Sequence, residues 1–188
     1  MNRSRLIEWA VYATLFCSFA ANGGSKPHVH GAAEITLAME GHTLEIMLTS
    51  PAISVLGFEN QARSDAQLQA VADAEKTLSN GADLFDFSGT QCTLLEADVD
   101  LSAVQAEQQS QDEHHDHHSS AHKEPASSHS DISAHYRFSC AEKLQLKTVR
   151  FGSNSLPFGL ESVGVHWVTD STQGAATLTP GAQVVELR

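Results

Sequence analysis

The feature that most constrains the fold is a long polar segment in the middle of the chain. From Asp98 to Asp131 it holds eight acidic residues and one base, Lys123, and most of the remainder is glutamine, serine and histidine. Such a composition cannot bury enough apolar surface to offset the entropy lost on ordering. We therefore expect a disordered His-rich loop over about residues 101–132, inserted into a single folded domain.

The sequence on either side of this segment predicts a small α+β domain. Apolar and polar residues alternate from Glu34 to Thr49, which predicts a β-hairpin with one buried face. Ser64 and Gln67 have capping-box spacing, and Asn80-Gly81 supplies a left-handed stop, so we expect one main helix between them. Further strands are predicted at 84–87, 92–99, 133–140, 163–168, 175–178 and 184–187. Strands before and after a helix, without βαβ alternation, favour an antiparallel sheet.

The amino terminus has the form of a signal peptide over residues 1–20. Arg3 and Arg5 precede an apolar run that ends at Ser18-Phe19-Ala20, a small-x-small cleavage site. The run is shorter than the roughly 20 residues of a membrane span. We expect residues 21–188 to form one periplasmic domain, with no membrane insertion after cleavage.

The net charge of the chain limits the kinds of molecule that it is expected to bind. The net charge of the chain is −12, and removal of two arginines and one glutamate with the leader makes it −13. An acidic domain without a basic cluster repels nucleic acid and anionic membranes, and it attracts cations. Nucleic-acid binding is therefore not expected.

Two cysteines, Cys92 and Cys140, follow the leader and flank the polar segment. An even pair in an oxidising compartment favours a disulfide, which would pin the loop at its base. Closing a loop of roughly 50 residues would stabilise the fold by about 4 kcal/mol in the chain-entropy model. Two separate buried thiols, or thiolate ligation of zinc, are the alternatives.

The chemistry of the chain is concentrated in the tract Asp112–His118, which places four histidines and three carboxylates in seven residues. Imidazole nitrogen is the commonest protein ligand for zinc, and it also suits copper and nickel. The bland alternative is a solvated linker that happens to be rich in histidine. The candidate ligands in and after the tract are Asp112, His114, His115, Asp116, His117, His118, His122, His129 and His135.

A second candidate site lies near the start of the mature chain, at His28 and His30. Residues two apart on an extended chain point to the same side, so both imidazoles can face one ion. Glu34, Glu59 and His135 are the residues that could complete such a site. An exposed amino terminus without a metal is the alternative.

Catalytic motifs do not emerge from the sequence. There is no HExxH helix, no Gly-x-Ser-x-Gly elbow and no phosphate-binding glycine loop. We therefore expect a binding protein and not an enzyme.

Several short motifs together give the chain a resemblance to the ZrgA-like family of zinc-regulated periplasmic zinc-binding proteins. The motifs are His28–Gly31, Leu44–Ile46, Ser50–Ala52, Gly57–Glu59, His135–Cys140, Trp167–Thr169, Gln173–Ala175 and Leu178–Pro180. The resemblance implies a periplasmic accessory to zinc acquisition that works alongside an ATP-driven importer, with metal ligation by the His-rich loop. The family often has histidine after Gly-Phe-Glu, where this chain has Asn60, so an ordered amino-terminal site would lack one ligand here.

The functional hypothesis is a protein that captures or buffers zinc and assists a high-affinity zinc uptake system. Its partners would be zinc ions and a periplasmic zinc solute-binding protein or the importer itself. Two alternatives stay open: sequestration of copper or nickel, which histidine also binds, and an interaction module in which histidines sense pH.

Overall fold

A computed structural model of the chain describes residues 29–105, 130–142, 146–152 and 156–187. The expected signal peptide and residues 106–129 of the expected loop lie outside these ranges. The helices are α1 (Ala52–Leu56), α2 (Asp65–Ser79) and α3 (Gly81–Leu84), and a 3-10 turn covers Pro157–Gly159. The strands are β1 (Ala32–Glu40), β2 (Thr43–Pro51), β3 (Phe85–Ser88), β4 (Cys92–Asp100), β5 (Asp131–Cys140), β6 (Thr148–Phe151), β7 (Ser162–Val168), β8 (Gln173–Leu178) and β9 (Val184–Glu186).

The elements confirm the predicted α+β class, but the strands form two sheets where we expected one. The larger sheet has the order β4-β5-β2-β1-β7-β8, and the smaller has the order β3-β6-β9. In the described ranges, no helix is both long enough and apolar enough to cross a membrane.

One strand pair departs from the predicted antiparallel sheet, because β7 runs parallel to β1. The β2 strand already occupies one side of β1, so the other side is free to take a later strand. The Glu161 N–H donates to the Gly31 carbonyl at 2.7 Å, which starts β7 beside the start of β1. Both strands therefore run in the same direction from that end.

The predicted hairpin is confirmed as β1 and β2. Leu37 pairs with Ile46, and the turn between the strands has Gly41 in the left-handed region at φ 59°. Alternate residues of both strands are buried, which defines an inner face of the large sheet that is apolar and an outer face that is exposed. The alternation in the sequence thus decides which side chains enter the core.

The predicted main helix is confirmed as α2, with its capping box. The Ser64 hydroxyl accepts from the Gln67 N–H at 3.3 Å, and the Gln67 side chain accepts from the Ser64 N–H at 3.2 Å. Two N–H groups that lack helical partners are satisfied in this way. Val71, Ala74 and Leu78 form the buried face of the helix.

The predicted left-handed stop at Asn80-Gly81 is wrong. Asn80 ends α2 with φ −94°, and Gly81 is not among the residues with positive φ but begins α3. Glycine is needed at this position for space, because a Cβ atom there would lie 2.5 Å from Cδ1 of Tyr136. The ring of Tyr136 is fully buried and packs edge-on against Phe85.

The disulfide between Cys92 and Cys140 is confirmed, with an S–S distance of 2.03 Å. However, the disulfide does not lie at the base of the insertion, where we expected it. The two cysteines pair directly in the β4–β5 hairpin, whereas the inserted segment joins Asp100 to Asp131 at the other end. Eight residues of strand, roughly 26 Å at about 3.3 Å each, separate the disulfide from the insertion.

Backbone hydrogen bonds and buried apolar residues hold the ends of the insertion instead. Leu101, Val104 and Ile132 are each 2% exposed or less. The Ala62 N–H donates to the Val104 carbonyl at 2.8 Å, and the Ala52 N–H donates to the Ser130 carbonyl at 2.7 Å. Residues 101–105 and 130–132, which we expected to belong to the loop, are therefore part of the folded domain.

Candidate metal centre

The outer face of the large sheet carries one of the predicted metal ligands, His135. This residue lies at the middle of β5, directly opposite Met47 on β2 and Asp98 on β4. The inward-facing neighbours on β5, Ala134 and Tyr136, are buried, so period two places the His135 imidazole on the exposed face. One third of the side chain is accessible to solvent.

A carboxylate from the next strand approaches this imidazole. The His135 Nε2 atom lies 3.5 Å from Oε2 of Glu45, which is on β2 two residues from Met47. Arg137, the next outward residue on β5, forms an ion pair with Glu96 of β4. The Arg137 guanidinium is thus paired with Glu96 of β4, while Glu45 of β2 contacts the His135 imidazole.

The contact between His135 and Glu45 was missed by sequence reasoning. The alternating pattern predicts only that Glu45 is a polar position in a strand, because the helices, two strands and the insertion lie between β2 and β5 in the sequence. Alternation gives the face on which a residue lies but not the partner strand. No signal in the sequence could have paired these two residues.

The amino-terminal candidate is not brought to His135. His30 lies in an exposed turn just before β1, and His28 lies outside the described residues. In the sheet register the β1 residue level with His135 is Thr36, through Met47. Thr36 is four residues, roughly 13 Å, along β1 from Ala32, where the strand begins after His30, and β1 is two strands away from β5. A single ion therefore cannot use both.

The other predicted ligands lie beyond the described ranges. They are Asp112, His114, His115, Asp116, His117, His118, His122 and His129. Across the described part of the chain, no three His, Cys, Asp or Glu side chains stand close enough to hold an ion. A complete metal site there would need a side chain to move.

Two further histidines are exposed on the domain. The Nδ1 atom of His42 lies 2.9 Å from the Cys140 carbonyl, and the Cys140 N–H donates to the His42 carbonyl at 2.8 Å. This pair of contacts ties the β1–β2 turn to the disulfide end of β5. His166 is exposed on the outer face of β7, level with Thr36.

The carboxylate at the start of the insertion is held by local hydrogen bonds. The Ser102 N–H donates to Oδ1 of Asp100 at 2.9 Å. Hydrogen bonds from the Ser102 side chain and backbone lower the pKa of Asp100, because they stabilise its charged form. The folded end of the insertion thus adds a negative charge close to the outer face.

Some motifs that carried the family resemblance have structural roles. Gly174 lies opposite Trp167 in the β7–β8 pair, and a Cβ atom there would lie 2.3 Å from Cζ2 of the indole. Gly31 has φ 74°, and its N–H donates to the Ser54 hydroxyl at 3.1 Å. These glycines allow close packing at the start of β1 and under Trp167, and they do not by themselves indicate a ligand.

The relationship of the chain to known proteins agrees with the resemblance. The model of the ZrgA family of zinc uptake proteins matches residues 27–187. No curated protein matches the chain. The match covers the whole described domain together with the His-rich tract, and the chain therefore belongs to the ZrgA family of zinc uptake proteins.

Proposed function

We propose that this protein is an exported, non-catalytic zinc-binding protein that captures or buffers zinc in the periplasm and assists a high-affinity zinc uptake system. The proposal rests on the tract Asp112–His118, with four histidines and three carboxylates in seven residues of a zinc uptake family member. Zinc is the cargo of such a protein and not a resident cofactor.

The donor set of the tract suits capture and release better than permanent storage. Zinc takes about four ligands, mainly nitrogen from imidazole or sulfur from thiolate, with oxygen from carboxylates. Asp112–His118 offers more donors than one ion needs, and His122 and His129 follow. Overlapping ligand sets let an ion move from one set to another without full dissociation. Both cysteines of the described domain are oxidised in the disulfide, which leaves histidine and carboxylate as the donors.

The charge of the chain supports the same role. A net charge of −12 on 188 residues attracts divalent cations and raises their concentration near the surface. Glu45, Asp98 and Asp100 extend this negative charge along the sheet towards the ends of the insertion. The partner that receives zinc is a periplasmic zinc solute-binding protein or the ATP-driven importer.

Calorimetric zinc titration tests the proposal. The mature chain is compared with a deletion of residues 107–129, which keeps the Ser130 carbonyl that accepts from the Ala52 N–H. A matched variant keeps the length but replaces His114, His115, His117, His118, His122 and His129 by asparagine. We expect both variants to lose the tightest zinc sites. Equal binding by all three proteins would remove the tract from the function.

The other metal and pH hypotheses give different outcomes. Copper binds imidazole sites more tightly than zinc does, so affinity alone does not identify the physiological metal. Induction of the protein by zinc starvation supports uptake, whereas induction by excess copper or nickel supports resistance. Capture of a partner protein that is indifferent to chelator would support a pH-sensing interaction module instead.

A further inference from the structure

We propose that His135 and Glu45, with Asp98, form a second zinc site on the outer face of the large sheet, separate from the His-rich tract. The His135 Nε2 and Glu45 Oε2 atoms are 3.5 Å apart. Two ligands of a tetrahedral zinc ion, with bonds of about 2.0–2.1 Å, stand roughly 3.3–3.4 Å from each other. The pair therefore already has nearly the separation that one ion requires.

The sheet register supplies the third ligand. Asp98 lies directly opposite His135 in the β4–β5 pair, on the same outer face. Side chains that face each other across an antiparallel pair have Cβ atoms about 4.5–5.5 Å apart, within reach of one ion. Asp98 is exposed, so the third bond would require only that its side chain adopt a rotamer directed towards the imidazole. Water completes the coordination.

The charges around the pair favour a cation over a simple ion pair. Arg137, the only arginine or lysine on the outer face of β5, lies level with both Glu45 and Glu96 in the sheet, and it forms its ion pair with Glu96. The imidazole of His135 is thus flanked by two carboxylates, from Glu45 and Asp98. An exposed contact between histidine and glutamate is by itself only weakly stabilising. A divalent ion would neutralise both carboxylates and use the neutral imidazole as a ligand.

The position of the site suits exchange with the tract. Glu45 is half exposed and His135 is one-third exposed, so an ion can enter from solvent. His135 is four residues from Asp131, where the insertion re-enters the sheet, which is roughly 13 Å along the strand. The choice of zinc as the ion rests on the proposed function.

The test uses the full mature chain in which the six histidines at 114, 115, 117, 118, 122 and 129 are asparagine. We expect calorimetry to show a remaining zinc site that depends on His135 and Glu45. In this background His135→Ala or Glu45→Gln should lower its affinity at least tenfold. His166→Ala is the matched control, because this histidine is also exposed on the outer face but is three strands away, and it should leave the affinity unchanged.

Two results would overturn the site: no zinc binding by the six-asparagine background, or binding that His135→Ala leaves intact. A second measurement does not depend on residual affinity. In the same background, zinc should shift the ring nitrogen resonances of His135 but not those of His166. Thermal unfolding of each variant checks that the sheet is retained. Failure of the proposed function is a separate outcome, seen when the background and the mature chain bind zinc equally.

Discussion

The disulfide gives a prediction that tests both the energetics and the layout of the fold. Replacement of Cys92 and Cys140 by alanine should destabilise the domain without weakening zinc binding by the tract. The cysteines pair at one end of the β4–β5 hairpin, and the insertion leaves from the other end. Loss of the bond therefore acts on the unfolded chain and not on the ends of the insertion.

The magnitude follows from the length of the closed loop. The cysteines are 48 residues apart in sequence, and the chain-entropy relation gives about 4 kcal/mol for a loop of this size. Urea unfolding of a domain of this length has a slope of about 2 kcal/mol per molar. The midpoint of unfolding should therefore fall by roughly 2 M.

Urea titration followed by tryptophan fluorescence measures this change, because Trp167 packs on Gly174 in the core region of β7 and β8. The disulfide-bonded chain is compared with the double alanine variant and with the same chain after reduction of the disulfide. The reduced chain and the variant should have the same unfolding midpoint. Zinc affinity should stay within about twofold, as expected for distant sites that act independently. A midpoint that does not move would refute the entropic account, and a large loss of zinc affinity would refute the layout.

Three further predictions concern the core and the tract. Gly81→Ala should destabilise the domain by about 1–3 kcal/mol in thermal unfolding, because the added Cβ atom would clash with the Tyr136 ring. Gly164→Ala is the control and should be tolerated, because a Cβ atom there has no contact closer than 3.9 Å. Burial raises the pKa of Tyr136, so the folded chain keeps a phenol proton that the unfolded chain loses near pH 10. The free energy of unfolding should therefore not depend on this group below that pH and should fall above it. Absorbance titration of the chain without residues 1–20 reads this tyrosine alone, and phenolate formation before unfolding would contradict the prediction. Zinc affinity of the tract should fall between about pH 6.5 and 5.5 as its imidazoles are protonated, and unchanged affinity at pH 5.5 would exclude histidine as the main donor.

Local patterns in the sequence were enough to predict the elements with short-range causes. The β1–β2 hairpin follows from alternation on both sides of a glycine turn, and α2 begins where Ser64 and Gln67 satisfy each other's N–H groups. In both cases the residues that determine the structure are close together in the sequence. The disulfide was predicted on a different ground, since export and an even cysteine count favour it wherever the cysteines lie.

Features with long-range causes could not be predicted. An Asn-Gly pair often ends a helix with glycine in the left-handed conformation, but here the glycine is needed for space. The ring of Tyr136, 55 positions later in the sequence, lies where a side chain at position 81 would be. The parallel pairing of β1 with β7 likewise depends on which side of β1 is left free by β2. The sequence likewise indicates His135 as a candidate ligand but not its neighbour Glu45, which reaches it only through the β2–β5 register.

The arrangement of the β4–β5 hairpin explains why a tract this polar can be carried by a small domain. Leu101, Val104 and Ile132 are buried where the insertion joins β4 and β5, and the disulfide links the opposite ends of these two strands. If the tract binds zinc as proposed, that binding need not be coupled to global unfolding, unlike the binding of zinc by a zinc finger. Under the proposed function, gain and loss of zinc by the tract would leave the sheet unchanged. A protein that must release its cargo to an uptake system requires this separation of binding from folding.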